Sequence, residues 1–291
     1  MIPSDALQVQ MDTENWCRRA LHEDWYREWT AHKVLVAFTA ELLARADPFL
    51  VSPAICDVIE VGAATFPDAP FDVGEPSSST GFAVFEKPLN SLPMESLNGI
   101  PVPPYLSALG WHKTDTDAVI FVAFALVDGV HQPLLTGPIQ HGHTLEKSIR
   151  QLRENDHLTG IAPDSTDVRE RIFREVTYAR SFWAFCRQPL VERSVHRASR
   201  QLVHRFKRER QQEPPLIRVV ALRARHYEKT GEGDGAIEYQ CQWFVRGHWH
   251  QYWVGPKGGQ RLEPRWVAPY VKGPEDKPLK RPSTTVFAVV R

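Results

Sequence analysis

Ten consecutive apolar residues, Ala118–Val127 (AVIFVAFALV), constrain the fold more than any other stretch of this 291-residue chain. The run falls short of the roughly 18 apolar residues that a membrane helix requires. A strand with one wet face alternates apolar and polar side chains, whereas this one is apolar on both faces and is therefore expected at the centre of its sheet. No apolar run is longer, so a soluble protein without a membrane partner is expected. The N-terminus, MIPSDALQVQMDTEN, has neither the basic start nor the apolar core of a signal peptide, which makes the cytoplasm the expected location.

Around that strand the N-terminal half reads as α+β. Asp12-Thr13-Glu14 marks a helix start, and Trp16, Ala20, Leu21, Trp25, Trp29, Leu35, Phe38, Leu42 and Leu43 follow at helical spacing until Pro48. The tryptophans suit a core stripe or an aromatic binding face. A short helix is expected over Pro53–Ala64, and strands over Gly81–Glu86 and Tyr105–Trp111, with long Pro-, Ser- and Asn-rich loops before and between them.

Farther on, Leu145–Leu152 predicts a short helix, and Asp164-Ser165-Thr166-Asp167 caps a long one carrying Ile172, Val176, Ala179, Phe182, Trp183 and Phe185. Pro189 breaks it, and a second helix is expected over Leu190–Glu209. After Pro214-Pro215 the pattern switches to period two. Strands are expected over Leu216–Tyr227, Ala236–Val245, Gly247–Val254, Arg265–Val271 and Thr284–Val290, the second and third forming one long strand bent at Gly247. The fold class is thus α+β: an acidic helical and small-sheet region, then two helices and an antiparallel sheet of four or five strands.

Charge divides the chain. Residues 1–164 carry 10 Lys+Arg against 22 Asp+Glu, and residues 165–291 carry 25 against 13, so a net −12 and +12 cancel. Two domains are expected at that boundary, a basic one suited to a polyanion such as RNA or DNA and an acidic one able to mask or modulate it. On the expected helix over Leu190–Glu209, Arg197, Arg200, Arg205, Lys207 and Arg208 are candidate phosphate contacts. Nearly one sign of charge over such a length repels itself and is better tolerated beside an anion, although a solvated face is the other reading.

The densest candidate site is Gln242–Trp253 (QWFVRGHWHQYW). Strand alternation places Phe244, Arg246, His248, His250 and Tyr252 on one face and Trp243, Val245, Trp249 and Trp253 on the other, unless a bulge at Gly247 breaks the register. Pairing of the preceding strand would bring Arg225 and His226 towards the same face, and Lys272 ends another strand. Histidine, arginine, lysine and tyrosine without converging carboxylates form the residue set for RNA cleavage without a metal or other cofactor. One imidazole, His248 or His226, takes the 2′-hydroxyl proton. His250 or Tyr252 protonates the leaving oxygen, and Arg246 with Arg225 or Lys272 holds the phosphate. Exposed aromatics beside them can stack on unpaired bases. Structural or purely binding roles for these histidines, or a metal site built on the His-x-His pair, remain open alternatives. His141-Gly142-His143 is a second such pair. Cys17, Cys56, Cys186 and Cys241 form no CxxC and read as buried reduced thiols. A two-metal nuclease is disfavoured by the few acids of the basic half, and a serine hydrolase by the absence of GxSxG.

The run RARHYE…YQCQWFVRGHWHQYW…RWVAPYVKGPEDKPL, over Arg223–Leu279, resembles the C-terminal part of a protein family found on actinobacterial phages, prophages and plasmids. FWAFCRQPLVE, Phe182–Glu192, is similar to a helix of the same family. That resemblance implies a mobile-element origin. The order of helices followed by an Arg- and His-bearing sheet also resembles RelE/barnase/colicin-type ribonucleases, which implies Arg225, His226, Arg246, His248, His250 and Tyr252 as the site. The sequence-based expectation is a phage or prophage protein that engages nucleic acid, as a metal-independent endoribonuclease of toxin or host-takeover type. The alternative is a non-enzymatic regulatory protein binding a host protein or DNA.

Overall fold

The structure, a computed structural model, describes residues 1–22, 30–92, 94–97, 100–154, 166–188, 191–222, 243–245, 247–256 and 258–272. The chain divides into two compact units, Met1–Arg223 and Ala224–Arg291.

The first unit opens with helix α1 (Pro3–Ala20), whose start lies nine residues before the expected one. Pro3 takes the first turn, where its missing N–H costs nothing, and the Asp5 carboxylate accepts the Ile2 N–H at 2.7 Å. Helix α2 (Thr30–Arg45) is a separate element, and the chain then extends into strand β1 (Asp47–Val51), where Pro48 begins a strand as well as ending a helix. Helix α3 (Pro53–Ala63) and strand β2 (Thr80–Asn90) follow. A small hairpin of β3 (Met94–Leu97) and β4 (Ile100–Val102) precedes the meander of β5 (Tyr105–Lys113), β6 (Ala118–Val127) and β7 (Val130–Gln140). Helices α4 (Leu145–Glu154) and α5 (Thr166–Cys186) lead to strand β8 (Val191–His196), helix α6 (Arg200–Arg210) and strand β9 (Ile217–Leu222).

Seven of these strands form one mixed sheet in the order β7-β6-β5-β2-β1-β9-β8. β1 runs parallel to both β2 and β9, and the other neighbours are antiparallel. β6 lies between β5 and β7 as its two-sided apolar pattern requires. Leu50, Phe82, Val84, Ala108, Val122 and Phe124 face one core together with Leu7 and Met11 of α1 and Leu202 and Phe206 of α6. The alternate residues Phe49, Phe85 and Trp111 pack with Phe182 of α5, at ring-centroid distances of 5.9 to 6.3 Å. Gly81 sits directly opposite Trp111, and a Cβ there would overlap the indole.

Two expectations are corrected. The charge boundary at 164/165 is not a fold boundary, because β8 and β9 of the basic half complete the sheet begun by the acidic half. A fragment 165–291 would expose the β1 edge of β9 and lose the core beneath α6. The helix expected over Leu190–Glu209 is a strand, a short connection and a helix. Val191–His196 pairs with β9 along its full length, so tertiary pairing outweighs the helical reading of its charges. The separate C-terminal antiparallel sheet therefore loses its first strand to the large sheet.

The second unit is described over strands β10 (Trp243–Val245), β11 (His248–Val254), β12 (Arg261–Val267) and β13 (Tyr270–Lys272). β11 pairs with β12 and β10 with β13, in one continuous register from Trp243↔Lys272 to Val254↔Arg261. The four segments are one antiparallel hairpin interrupted at its middle. Gly247 lies at the interruption, where a Cβ would run into the Trp266 ring and come within 2.9 Å of Pro269 Cδ. Glycine at 247 is thus a close-approach requirement, distinct from the bend expected there. Arg225, His226, Arg246 and Cys241 lie outside the described residues, as does the strand expected over Thr284–Val290.

Candidate nucleic-acid interface

Helix α6 sorts its cations into two sets. Ser199 caps it by accepting the Leu202 N–H, and Leu202 and Phe206 turn the helix towards α1. On the side facing α1, Arg205 bonds Asp12 at 2.9 Å and Glu209 at 2.8 Å, and Arg210 bonds Glu14 and the Ala44 carbonyl. The Glu209 and Asp12 carboxylates hold the Arg205 guanidinium above its ordinary pKa. Arg200, His204 and Arg208 follow one another at four-residue spacing and are all exposed, with Arg197 exposed just before the helix, and His204 and Arg208 border a groove shared with Ser4, Asp5 and Gln8 of α1. Among the described residues, Arg197, Arg200 and His204 have no carboxylate partner, and Arg208 reaches only Glu209, at 3.9 Å. Lys207 is bonded to Glu213 at 2.5 Å. Like charges four apart on a helix cost a few tenths of a kcal/mol each when no anion is present.

Of the five phosphate contacts expected over residues 197–208, Arg197, Arg200 and Arg208 are thus available, whereas Arg205 and Lys207 are occupied by carboxylates. The acidic half does contact this helix, but not as a cover that can lift away. α1 supplies Asp12 and Glu14 while burying Ala6, Leu7 and Met11 in the core that holds Leu202 and Phe206.

In the second unit the hairpin register settles the face assignment for the described residues. Directly paired residues share a face, so His248, His250 and Tyr252 lie with their partners Val267, Arg265 and Glu263. The His250 and Tyr252 rings are 4.5 Å apart between centroids, and the Arg265 guanidinium sits over Tyr252 at 5.8 Å. On the opposite face Trp249 meets Trp266 edge-on at 5.5 Å, and Trp266 is buried while Trp253 is 65% exposed. Tyr252 is 41% exposed and His250 is exposed. Lys272 belongs to the same unit, opposite Trp243 and therefore in the alternation of the tryptophan face. Arg197, Arg200, Arg205, Lys207 and Arg208 belong to the first unit.

Arg265 and Arg261 were not singled out from the sequence, although the signal was present. Once the Gly255–Gly259 turn is taken as a hairpin turn, the antiparallel count puts Arg265 opposite His250 and Arg261 opposite Val254, on the histidine face.

Other histidines have local structural work. Two backbone bonds and one to an imidazole tie the His141-Gly142-His143 loop to residues 71–73: Phe71 N–H to His143 O at 2.8 Å, Gly142 N–H to Phe71 O at 2.8 Å, and Val73 N–H to the His141 side-chain Nδ1 at 3.3 Å. His131 is buried beside Ser107, with Nδ1 2.8 Å from Oγ, and burial pushes its pKa down to about 4. Among the described residues no three His, Cys, Asp or Glu side chains converge as a metal site. No described helix is long and apolar enough to cross a membrane.

Fold and surfaces together define an α+β protein with a cation-striped helix in one unit and a histidine- and aromatic-bearing hairpin in the other. No protein-family model matches the chain, and no curated protein matches it. The placement of its own side chains therefore carries the functional argument.

Proposed function

We propose that this is a mobile-element protein that engages nucleic acid, the exposed cations of α6 in the first unit contacting phosphates; the hairpin of the second unit is, taken by itself, a surface suited to unpaired bases. The observation that carries the reading is the sorting of cations on α6. The fold supplies carboxylates to Arg205 and Arg210, which face α1, and leaves the outward row of Arg197, Arg200, His204 and Arg208 for an external anion. The half-exposed Tyr252 and exposed Trp253 present flat surfaces on which unpaired bases stack without sequence preference. Resemblance of Arg223–Leu279 to proteins of phages, prophages and plasmids supports the mobile-element part.

A second reading, metal-independent endoribonuclease activity, is favoured by one observation: His248, His250 and Tyr252 share a face with Arg265. His248 would remove the 2′-hydroxyl proton as that oxygen attacks phosphorus. The P–O5′ bond would break, with His250 or Tyr252 giving a proton to the departing oxygen and Arg265 balancing the charge on the phosphorane.

The test uses the full chain with labelled oligouridine and with total cellular RNA, in EDTA, over about pH 5 to 8. Salt-sensitive binding that weakens in Arg200→Gln/Arg208→Gln supports the binding reading. Cleavage lost in His248→Ala and in His250→Ala supports the enzymatic one. Absence of binding at low salt by folded protein removes both and leaves a regulatory partner of a host protein.

A further inference from the structure

A cavity of about 650 Å³ opens between α3 and α5, in the first unit but outside the surfaces described above. Its volume falls in the range of small-molecule sites. The apolar wall is Ala63, Ala64, Leu92 and Phe173, and Phe173 is 48% exposed although it is a large aromatic side chain.

The polar groups at this cavity fall into two classes. Thr177 Oγ1 donates to the Phe173 carbonyl at 2.6 Å, and Tyr178 Oη donates to the Asn90 carbonyl at 2.5 Å, so both hydroxyls are spent within the fold. Glu60 is fixed at the rim, its Oε1 accepting the Asn90 backbone and side-chain N–H groups at 2.6 and 2.8 Å and its Oε2 lying 3.9 Å from the Lys87 ammonium, which Asp57 also holds. Glu170 and Arg174 line the opening from α5, and neither is in an ion pair among the described residues, although the Arg174 charge acts on the Tyr178 phenol. α3 also ends here, at Ala63, with no basic residue in its last turn to offset the negative end of its dipole. With Lys87 and its partner Asp57 counted beside Glu60, three carboxylates and a helix C-terminus stand against one ammonium and one guanidinium and leave the opening negative on balance. Glu170 is the lining carboxylate outside an ion pair among the described residues. A phenyl ring beside them adds the quadrupole that attracts cations.

We infer that this cavity binds a small organic ammonium compound with an aromatic or aliphatic body, the ammonium at Glu170 and the body against Phe173 and the paired alanines. Arg174 sets a limit on the ligand, because a second positive charge on the α5 side would face the guanidinium. The inference is independent of nucleic-acid binding.

The experiment is calorimetry on the full chain with three probes of one shape: tryptamine, L-tryptophan and indole-3-propionate. Tryptamine is expected to bind most tightly and the propionate most weakly. Glu170→Gln is expected to weaken tryptamine about tenfold, the loss of one charge-assisted contact in a half-open site, without altering the unfolding midpoint. Phe173→Ala, at an exposed position that tolerates the change, is expected to weaken all three probes. No heat of binding for any probe overturns the inference. So does tightest binding of L-tryptophan or the propionate, or a tryptamine affinity unchanged in Glu170→Gln.

Discussion

Replacing Arg171 by methionine isolates the energetics that hold α5 to the loops around it. The Arg171 side chain is 2% exposed and that of its partner Glu175 0%, one turn later on α5, with Nε to Oε1 at 2.8 Å. Arg171 Nη1 also donates to the carbonyls of Leu92 at 2.7 Å and Pro103 at 3.0 Å, pinning the two ends of the β3–β4 excursion. Arg171→Met removes all three bonds and leaves the Glu175 carboxylate with only the Ser91 hydroxyl, at 3.3 Å. An uncompensated buried charge of this kind costs about 3–5 kcal/mol. For a unit of this size that lowers the melting temperature by roughly 10 °C.

The pH dependence of that loss has a definite sign. Burial raises the Glu175 pKa above its ordinary value even with Arg171 present, and the guanidinium is the main group opposing the rise. Without Arg171 the folded-state pKa climbs further. A carboxyl whose folded pKa is raised stabilises the fold below its unfolded pKa and loses that contribution as pH rises through the folded value. The deficit of Arg171→Met is therefore largest at neutral pH and shrinks on acidification. Among the described residues, Arg171 Nη2 and Glu175 Oε2 have no hydrogen-bond partner, so the pair is imperfectly compensated. The double variant Arg171→Met/Glu175→Leu should recover most of the lost stability. Urea unfolding of both variants and the parent, at several pH values, measures this. A single-variant loss below about 1 kcal/mol, or a double variant as unstable as the single, would refute the assignment.

Three further outcomes are expected. His131, with a pKa pushed down to about 4 by burial, stabilises the fold above its unfolded pKa and loses that contribution as pH falls from about 6.5 to about 4. The lost part amounts to about 3 kcal/mol at most, and His131→Gln should lack this segment of the stability profile measured by denaturant unfolding. Cys17, Cys56 and Cys186, buried and with thiol pKa values pushed up to about 12, should resist alkylation until the protein unfolds, as mapped by peptide mass spectrometry. Gly247→Val should drive a side chain into Trp266 and Pro269, break the hairpin at this close approach and change the near-ultraviolet signal of the Trp249–Trp266 pair. An unchanged signal would mean that the close approach is not required.

What the sequence made legible follows from how local each signal is. The two-sided apolar run at 118–127 is β6 over those same residues, and Pro53 and the Thr166 region mark the starts of α3 and α5, because periodicity and capping are short-range. β7 has no counterpart among the strands expected from the sequence: Pro133, Gly137 and Pro138 weaken its strand pattern, yet an edge strand tolerates proline because one of its sides needs no ladder bonds. β8 was read as helix because a run of charges carries no information about a partner far along the chain, here β9. On the site, alternation along Trp243–Val254 gave the histidine face correctly for His248, His250 and Tyr252, since the register continues through Gly247. The fate of each cation on α6 was not legible. Whether Arg205 or Arg208 is free depends on Asp12, some 190 residues earlier, and on which side of the helix meets α1.

The central claim is that the outward cations of α6 serve an external polyanion and the inward ones serve the fold. The most direct measurement is the salt dependence of oligouridine affinity by fluorescence anisotropy for the full chain, Arg200→Gln/Arg208→Gln and Arg205→Gln, beside the unfolding midpoint of each. Each phosphate contact contributes about −0.7 to the slope of log affinity against log salt. The account predicts a slope shallower by about one to one and a half in the outward double variant at unchanged stability. Arg205→Gln should lose stability, by about 1 kcal/mol or less, and keep the parent slope. A parent affinity that does not respond to salt, or an outward variant with the parent's slope, would contradict it.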